Sequence, residues 1–147
     1  MITYREATML DLPILVSLDR KYFPHTAWPA EQFRSELTGK TRYFLVAENG
    51  AEIIGYAGAF LPNGGGTADI MTIGVDSAFR RKGIATYLIS ELERWAMERG
   101  GDSMMLEVDT TNLDAINLYT KLGYQKLNIR KNYYGAGVDA QNMKKLL

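Results

Sequence analysis

Apolar and polar side chains alternate from Ile2 to Glu6, the two-residue period of a short strand. Thr8 followed three residues later by Asp11 has the spacing of a capping box and opens a helix toward Tyr22, with Pro13 early enough to cost no needed amide. The segment Phe23-Pro24-His25-Thr26-Ala27-Trp28-Pro29 reads as a loop, and Pro29 as the first turn of a second helix ending at Gly39. Tyr43–Ala47 and Ile53–Phe60 are apolar runs of strand length. Asn49-Gly50 between them predicts a hairpin, because both residues tolerate positive φ. A glycine-rich link, Pro62 to Gly66, leads to a strand at Thr67–Val75.

The second half changes period. Ile84, Leu88, Leu92 and Trp95 recur at helical spacing and form one apolar stripe of a helix that Gly100-Gly101 stops. Ser103–Val108 then reads as a strand, Leu113–Leu122 as a helix closed by Gly123, Tyr124–Ile129 as a strand, and the last strand lies within Asp139–Leu146. Strand, helix, strand, helix, strand implies a crossover within a mixed sheet, so the fold class is α/β or α+β. Neither flank of the glycine link is large enough to fold alone, so residues 1–147 are expected to form a single domain.

Composition narrows the function classes. Seventeen basic residues balance seventeen acidic ones, which leaves no basic excess to neutralise phosphates, so nucleic acid is not the expected partner. The absence of cysteine excludes thiol nucleophiles, and with one histidine, His25, no metal site is expected. The start MITYREATML lacks the marks of a signal peptide and no stretch has the length of a membrane span, which predicts a cytoplasmic protein away from membranes.

One stretch carries chemistry on its face: Val75-Asp76-Ser77-Ala78-Phe79-Arg80-Arg81-Lys82-Gly83-Ile84-Ala85-Thr86. A strand ends, the chain turns, and a helix begins at a small residue. Free amides of a first helical turn point outward and carry partial positive charge, a ready seat for a pyrophosphate, to which Arg81 and Lys82 add charge. The plain alternative is a helix start that happens to be basic. The stretch lacks the Gly-Lys-Ser/Thr ending of a nucleoside-triphosphate loop and the three spaced glycines of a dinucleotide fold.

Arg80-Arg81-Lys82-Gly83-Ile84-Ala85 resembles the Arg/Gln-x-x-Gly-x-Gly/Ala signature of the GNAT superfamily of N-acetyltransferases. A second block is similar as well: Leu106-Glu107-Val108, Asn112, and Ala115 through Tyr124. Thr72 to Asp76, Arg130-Lys131-Asn132-Tyr133-Tyr134, and the Phe23-Pro24 and Trp28-Pro29 pairs resemble the RimI-type ribosomal-protein alanine N-acetyltransferases within it. The resemblance covers essentially the whole chain. It implies a mixed, mostly antiparallel central sheet of about seven strands with helices on both faces. It also implies acetyl-CoA as cosubstrate and direct transfer to the N-terminal α-amine of a protein, the N-terminal alanine of a ribosomal protein. A lysine side chain or a small-molecule amine is the alternative acceptor. Two positions depart from the pattern, Asp109 where arginine is usual and Gly135 where proline often follows the tyrosines, and both bear on the acceptor.

The resemblance assigns roles that elementary chemistry allows. Glu107, a charge in the apolar strand Met104–Val108, is the general base in that reading and a solvent-facing or ion-paired carboxylate in the other. Tyr119 is the acid that protonates the leaving thiolate, or an ordinary core tyrosine. Backbone groups of Ile73, Gly74 and Val75 would hold the pantetheine arm, and Arg81, Lys82, Gly83, Ile84, Ala85 and Thr86 the pyrophosphate. Asn112 serves as a cofactor contact, a helix cap, or both. Phe23, Trp28, Tyr133 and Tyr134 form an aromatic wall for the acceptor, or are partly buried loop residues.

Overall fold

The computed structural model describes all residues from Met1 to Leu147. Seven strands form one sheet: β1 (Ile2–Glu6), β2 (Arg42–Asn49), β3 (Glu52–Phe60), β4 (Gly66–Val75), β5 (Gly101–Asp109), β6 (Gln125–Gly135) and β7 (Val138–Leu146). Their order across the sheet is β1-β2-β3-β4-β5-β7-β6. Every neighbouring pair is antiparallel except β4 and β5, which run parallel because a helix connects them. The helices are α1 (Leu12–Tyr22), α2 (Ala30–Glu36), α3 (Ile84–Glu98) and α4 (Leu113–Lys121). No helix is long and apolar enough to cross a membrane.

Local signals account for most boundaries. Thr8 and Asp11 form the expected capping box: Thr8 Oγ1 accepts from the Leu10 amide at 3.2 Å, and Asp11 Oδ2 from the Thr8 amide at 2.8 Å. They first close a 3₁₀ turn, Met9–Asp11, and α1 follows with Pro13 in its first turn. The second helix ends at Glu36 rather than at Gly39, and Pro29 stands at its N-cap, not inside it. The largest departure from expectation is β6. It continues six residues past Ile129 to Gly135, so Tyr133 and Tyr134 lie on a strand and not in a loop. As an edge strand with almost every residue exposed, it has no buried face to impose an alternating pattern.

Alternation in β2 feeds two cores. Leu45 and Ala47 face α3, where Leu88, Ile89, Leu92, Trp95 and Ala96 are buried. Phe44 and Val46 face α1 and α2, against Leu15, Val16 and Phe33. Buried polar groups tie the helices down. Asp19, only 2% exposed on α1, accepts from the Tyr56 hydroxyl of β3 and from the Trp28 amide at 2.8 Å. Removing that carboxylate leaves the buried Tyr56 hydroxyl and the half-buried Trp28 amide unpaired. Asp19→Ala is therefore expected to cost about 2–4 kcal/mol in denaturant unfolding; a variant as stable as the parent would show that water replaces the carboxylate. On the opposite face, Glu93 of α3 accepts from the Tyr124 hydroxyl at 2.7 Å and from Lys145 of β7 at 3.1 Å, fastening the helix to the far half of the sheet.

Candidate active site

The sheet splits between β4 and β5. Their parallel ladder covers Gly66 to Asp69 against Gly101 to Met105 and then ends. Opposite β3, Gly58 pairs with Thr72 and Ala59 with Ile70, which leaves Met71 as an extra residue in β4. Such a bulge bends the strand that carries it. Beyond it β4 pairs only with β3, while β5 continues paired with β7 through Asp109. Ile73 and Val75 therefore turn unpaired amides and carbonyls toward the free edge of β4, where an extended ligand can pair with them, while Gly74 between them is paired with Tyr56 of β3. Gly74 also lies over buried aromatics: a Cβ there would sit 2.8 Å from Tyr56 Cζ and 3.0 Å from Tyr22 Cδ2.

The chain leaving Val75 makes a 3₁₀ turn at Ser77–Phe79, capped by Asp76, before reaching α3. Arg81 and Gly83 both adopt left-handed backbone, with φ of 62° and 78°. Gly83 is the N-cap of α3 and has no side chain to cap it. Tyr87 donates to the Gly83 carbonyl at 3.0 Å, while the six amides from Arg81 to Thr86 find no acceptor within the protein. Left-handed residues interspersed at a helix start curl successive amides toward a common point, the geometry of an anion nest. Arg81 and Lys82 stand exposed beside it. The residues read as a pyrophosphate seat are thus brought together, at the end of the sheet where the split opens.

Glu107 projects from β5 on the face opposite its core neighbours Leu106 and Val108. Its side chain is 18% exposed. One oxygen, Oε1, is held by Arg130 at 3.0 Å and by the Asn142 side-chain amide at 2.9 Å, while Oε2 is buried and has no partner. The ion-paired alternative is therefore real for one oxygen, with an arginine as partner, and the other remains free to accept a proton. Asn142, 5% exposed, stands directly across the β5–β7 ladder from Glu107.

Tyr119 lies on the other face of β5, buried on α4 in the same cluster as Leu106, Val108 and Tyr124. Burial pushes its phenol up to about 12 from an ordinary value of 10.0, and no carboxylate is bonded to it, in contrast to Tyr56 and Tyr124. The protonated form is thus favoured by folding. Its contribution to stability is complete below about pH 10 and is lost as pH rises from about 10 through 12. In alkaline melts Tyr119→Phe is expected to flatten the fall in Tm over that window; an unchanged slope would assign the fall to other tyrosines.

Glu107 and Tyr119 thus lie on opposite faces of β5, the strand that borders the split. Tyr134 joins them: burial raises its phenol, and Tyr133, Glu107, Tyr119 and Asp109 each add to the shift, so it lies within electrostatic reach of both. Tyr133 meets Tyr134 edge to face at 5.0 Å, and the Arg130 guanidinium lies 4.8 Å over the Tyr133 ring. Trp28 is half-buried and packs edge-on against Phe33 at 5.1 Å, in the α1–α2 cluster. Phe23 is likewise half-buried, as the C-cap of α1. The Tyr133–Tyr134 pair and Trp28 thus belong to separate ring contacts. Asn112 caps α4, its Oδ1 accepting from the Ala115 amide at 3.2 Å, which leaves its side-chain NH2 available.

Sequence reasoning passed over Asp69 and Asn142 near Glu107 and gave Arg130 no role of its own. Asp69, Arg130 and Asn142 line, together with Met105, Glu107 and Asn128, a cleft of about 360 Å³. Asp69 carried a signal of its own, an acid between the apolar Ala68 and Ile70 of a strand. Asn142 had none and Arg130 only its place in the run Arg130 to Tyr134, since the pairing of β7 between β5 and β6 is not local.

The acetyltransferase (GNAT) family model matches residues 12–124. The N-alpha-acetyltransferase RimI of Mycobacterium tuberculosis is 37% identical over 123 residues, covering 80% of this chain and 75% of that protein. The ribosomal-protein-S18-alanine N-acetyltransferase of Escherichia coli has a similar structure, with a TM-score of 0.88 and 26% identity over 99% of this chain and 94% of that one. Arabidopsis thaliana NAA60, solved in complex with acetyl-CoA, reaches a TM-score of 0.91 over 100% of this chain and 99% of that one, at 22% identity a likeness of fold. With the split sheet and amide-lined turn as the structural counterpart of that match, the chain belongs to the acetyltransferase (GNAT) family and is an acyltransferase.

Proposed function

We propose that residues 1–147 act as one catalytic domain that moves the acetyl group of acetyl-CoA to the N-terminal α-amine of a protein, in the cytoplasm. The mycobacterial relative's name supports the α-amine, and that of the Escherichia coli relative supports the N-terminal alanine of a ribosomal protein as the acceptor class. The observation that carries the reading is the run of six unpaired amides, Arg81 to Thr86, at the open end of a split beside which Glu107 holds a buried carboxylate oxygen with no partner.

Acetyl-CoA supplies an acetyl group already activated as a thioester. The amides of Arg81, Lys82, Gly83, Ile84, Ala85 and Thr86 bind its pyrophosphate, with the charges of Arg81 and Lys82 beside them. The free edge at Ile73, Gly74 and Val75 takes the pantetheine arm as an added strand, and the Asn112 amide contacts it. Glu107 Oε2 accepts the proton that the incoming ammonium must lose, directly or through water. Tyr119 keeps its proton at neutral pH and donates it toward the departing sulfur. Tyr133 and Tyr134 border the acceptor's first residues, and Phe23 and Trp28 are the outlying members of that surface.

Mass spectrometry of incubations with acetyl-CoA tests the acceptor. Alanine-first peptides are expected to gain one acetyl group on the α-amine, and N-terminally blocked, lysine-containing peptides and aminoglycosides none. Transfer confined to lysine or small amines would overturn the acceptor while leaving the cofactor site in place.

A further inference from the structure

Asp69 is the one carboxylate of the cleft with no partner. It lies at the last rung of the β4–β5 ladder, paired with Met105. Its neighbours Ala68 and Ile70 are buried in the α3-side core, so its side chain projects to the opposite face. Met105 and Glu107 project to that face too, and Asp69 and Glu107 line the same cleft. Burial raises the Asp69 carboxyl and the charge of Glu107 raises it further, with no donor or cation of the protein to offset either. Arg130, by contrast, is committed to Glu107 Oε1.

Two neighbouring carboxylates and one arginine leave the cleft with one uncompensated negative charge. Carboxylates in that condition are costly to maintain unless something positive arrives. The two free acceptors are Asp69 and the buried, partnerless Glu107 Oε2. An α-amine reaches the site protonated at neutral pH, a single charge with three donors. We infer that Asp69 is a specificity-determining residue of the acceptor site, binding the acceptor as an ammonium ion together with Glu107 Oε2 before any proton is removed. This rests on the proposed function and deepens it. Glu107 is the group that deprotonates, and Asp69 selects a cationic amine over a neutral terminus and brings it within reach.

The test compares an alanine-first peptide with its hydroxyl analogue, identical but for an OH in place of the α-amine, used as an inhibitor. The parent protein is expected to bind the amine peptide at least about tenfold more tightly than the hydroxyl analogue, the range of a charged hydrogen bond. In Asp69→Asn that preference should fall to roughly twofold, through a rise in peptide KM with a smaller change in kcat. Acetyl-CoA affinity should be unchanged, and Tm no lower, since the repulsion between two half-buried carboxylates is removed. Asp69→Glu should restore part of the preference. An Asn variant that keeps the full preference for the amine overturns the inference. If the parent protein acetylates a lysine or a small amine instead, it is the proposed acceptor that fails. The same comparison on that amine and its hydroxyl analogue then decides the role of Asp69.

Discussion

Glu107→Gln is expected to slow acetyl transfer at pH 7 by about 100-fold or more, the usual contribution of a positioned general base. The substitution is nearly isosteric. A glutamine oxygen can still accept from Arg130 and Asn142 where Oε1 does now, so the fold and the β5–β7 pairing should persist. What changes is the position of Oε2, where an amide donor replaces the one carboxylate oxygen free to take a proton. Acetyl-CoA affinity should therefore stay within roughly twofold, and the loss should appear in kcat. The deficit should also shrink with rising pH. A free α-amine has a pKa near 8, so by about pH 9 most of the acceptor arrives already deprotonated and needs no base. Steady-state rates from pH 7 to 9 check both points. A variant at the parent rate, or a deficit constant across that range, would remove Glu107 from proton transfer.

Tyr119→Phe is expected to lower turnover by about 10- to 100-fold with acetyl-CoA binding preserved. The phenyl ring keeps its edge contact with Tyr124, whose centroid lies 6.2 Å away, so packing is retained. Because no carboxylate is bonded to the Tyr119 hydroxyl, its removal should cost less than about 1 kcal/mol of stability. Tyr124→Phe provides the contrast. Its hydroxyl is bonded to Glu93, in a network that includes Lys145, so its loss should cost about 1–3 kcal/mol and leave turnover nearly unchanged. Equal turnover in the two variants would make Tyr119 one more core tyrosine.

Much of this architecture is written in short-range patterns. Gly50 turns β2 into β3 with a φ of 64°, although Asn49 ends β2 without positive φ, Thr8 and Asp11 close their capping box, and the stripe Ile84, Leu88, Leu92, Trp95 is buried against the sheet. The mixed, mostly antiparallel sheet of seven strands follows the expected element order. The turn from Arg81 to Thr86 is legible for the same reason: a small residue between strand and helix leaves amides free whatever the rest of the chain does. Expectation failed where exposure removed the pattern, as along β6, and where a group's neighbours come from distant strands.

By itself, then, the order of residues determined most of the strands and helices and the amide-lined turn from Arg81 to Thr86, because each depends on backbone preferences and side-chain periods within a few positions. Only the tertiary structure decided what Glu107 meets. Arg130 and Asn142 reach it from β6 and β7, 23 and 35 residues along the chain. Asp69 faces it because β4 and β5 run parallel to their last common rung, and Tyr119 approaches from the opposite face. The bulge at Met71 opens the space between them, and a bulge arises from how two strands register, which neither strand specifies alone.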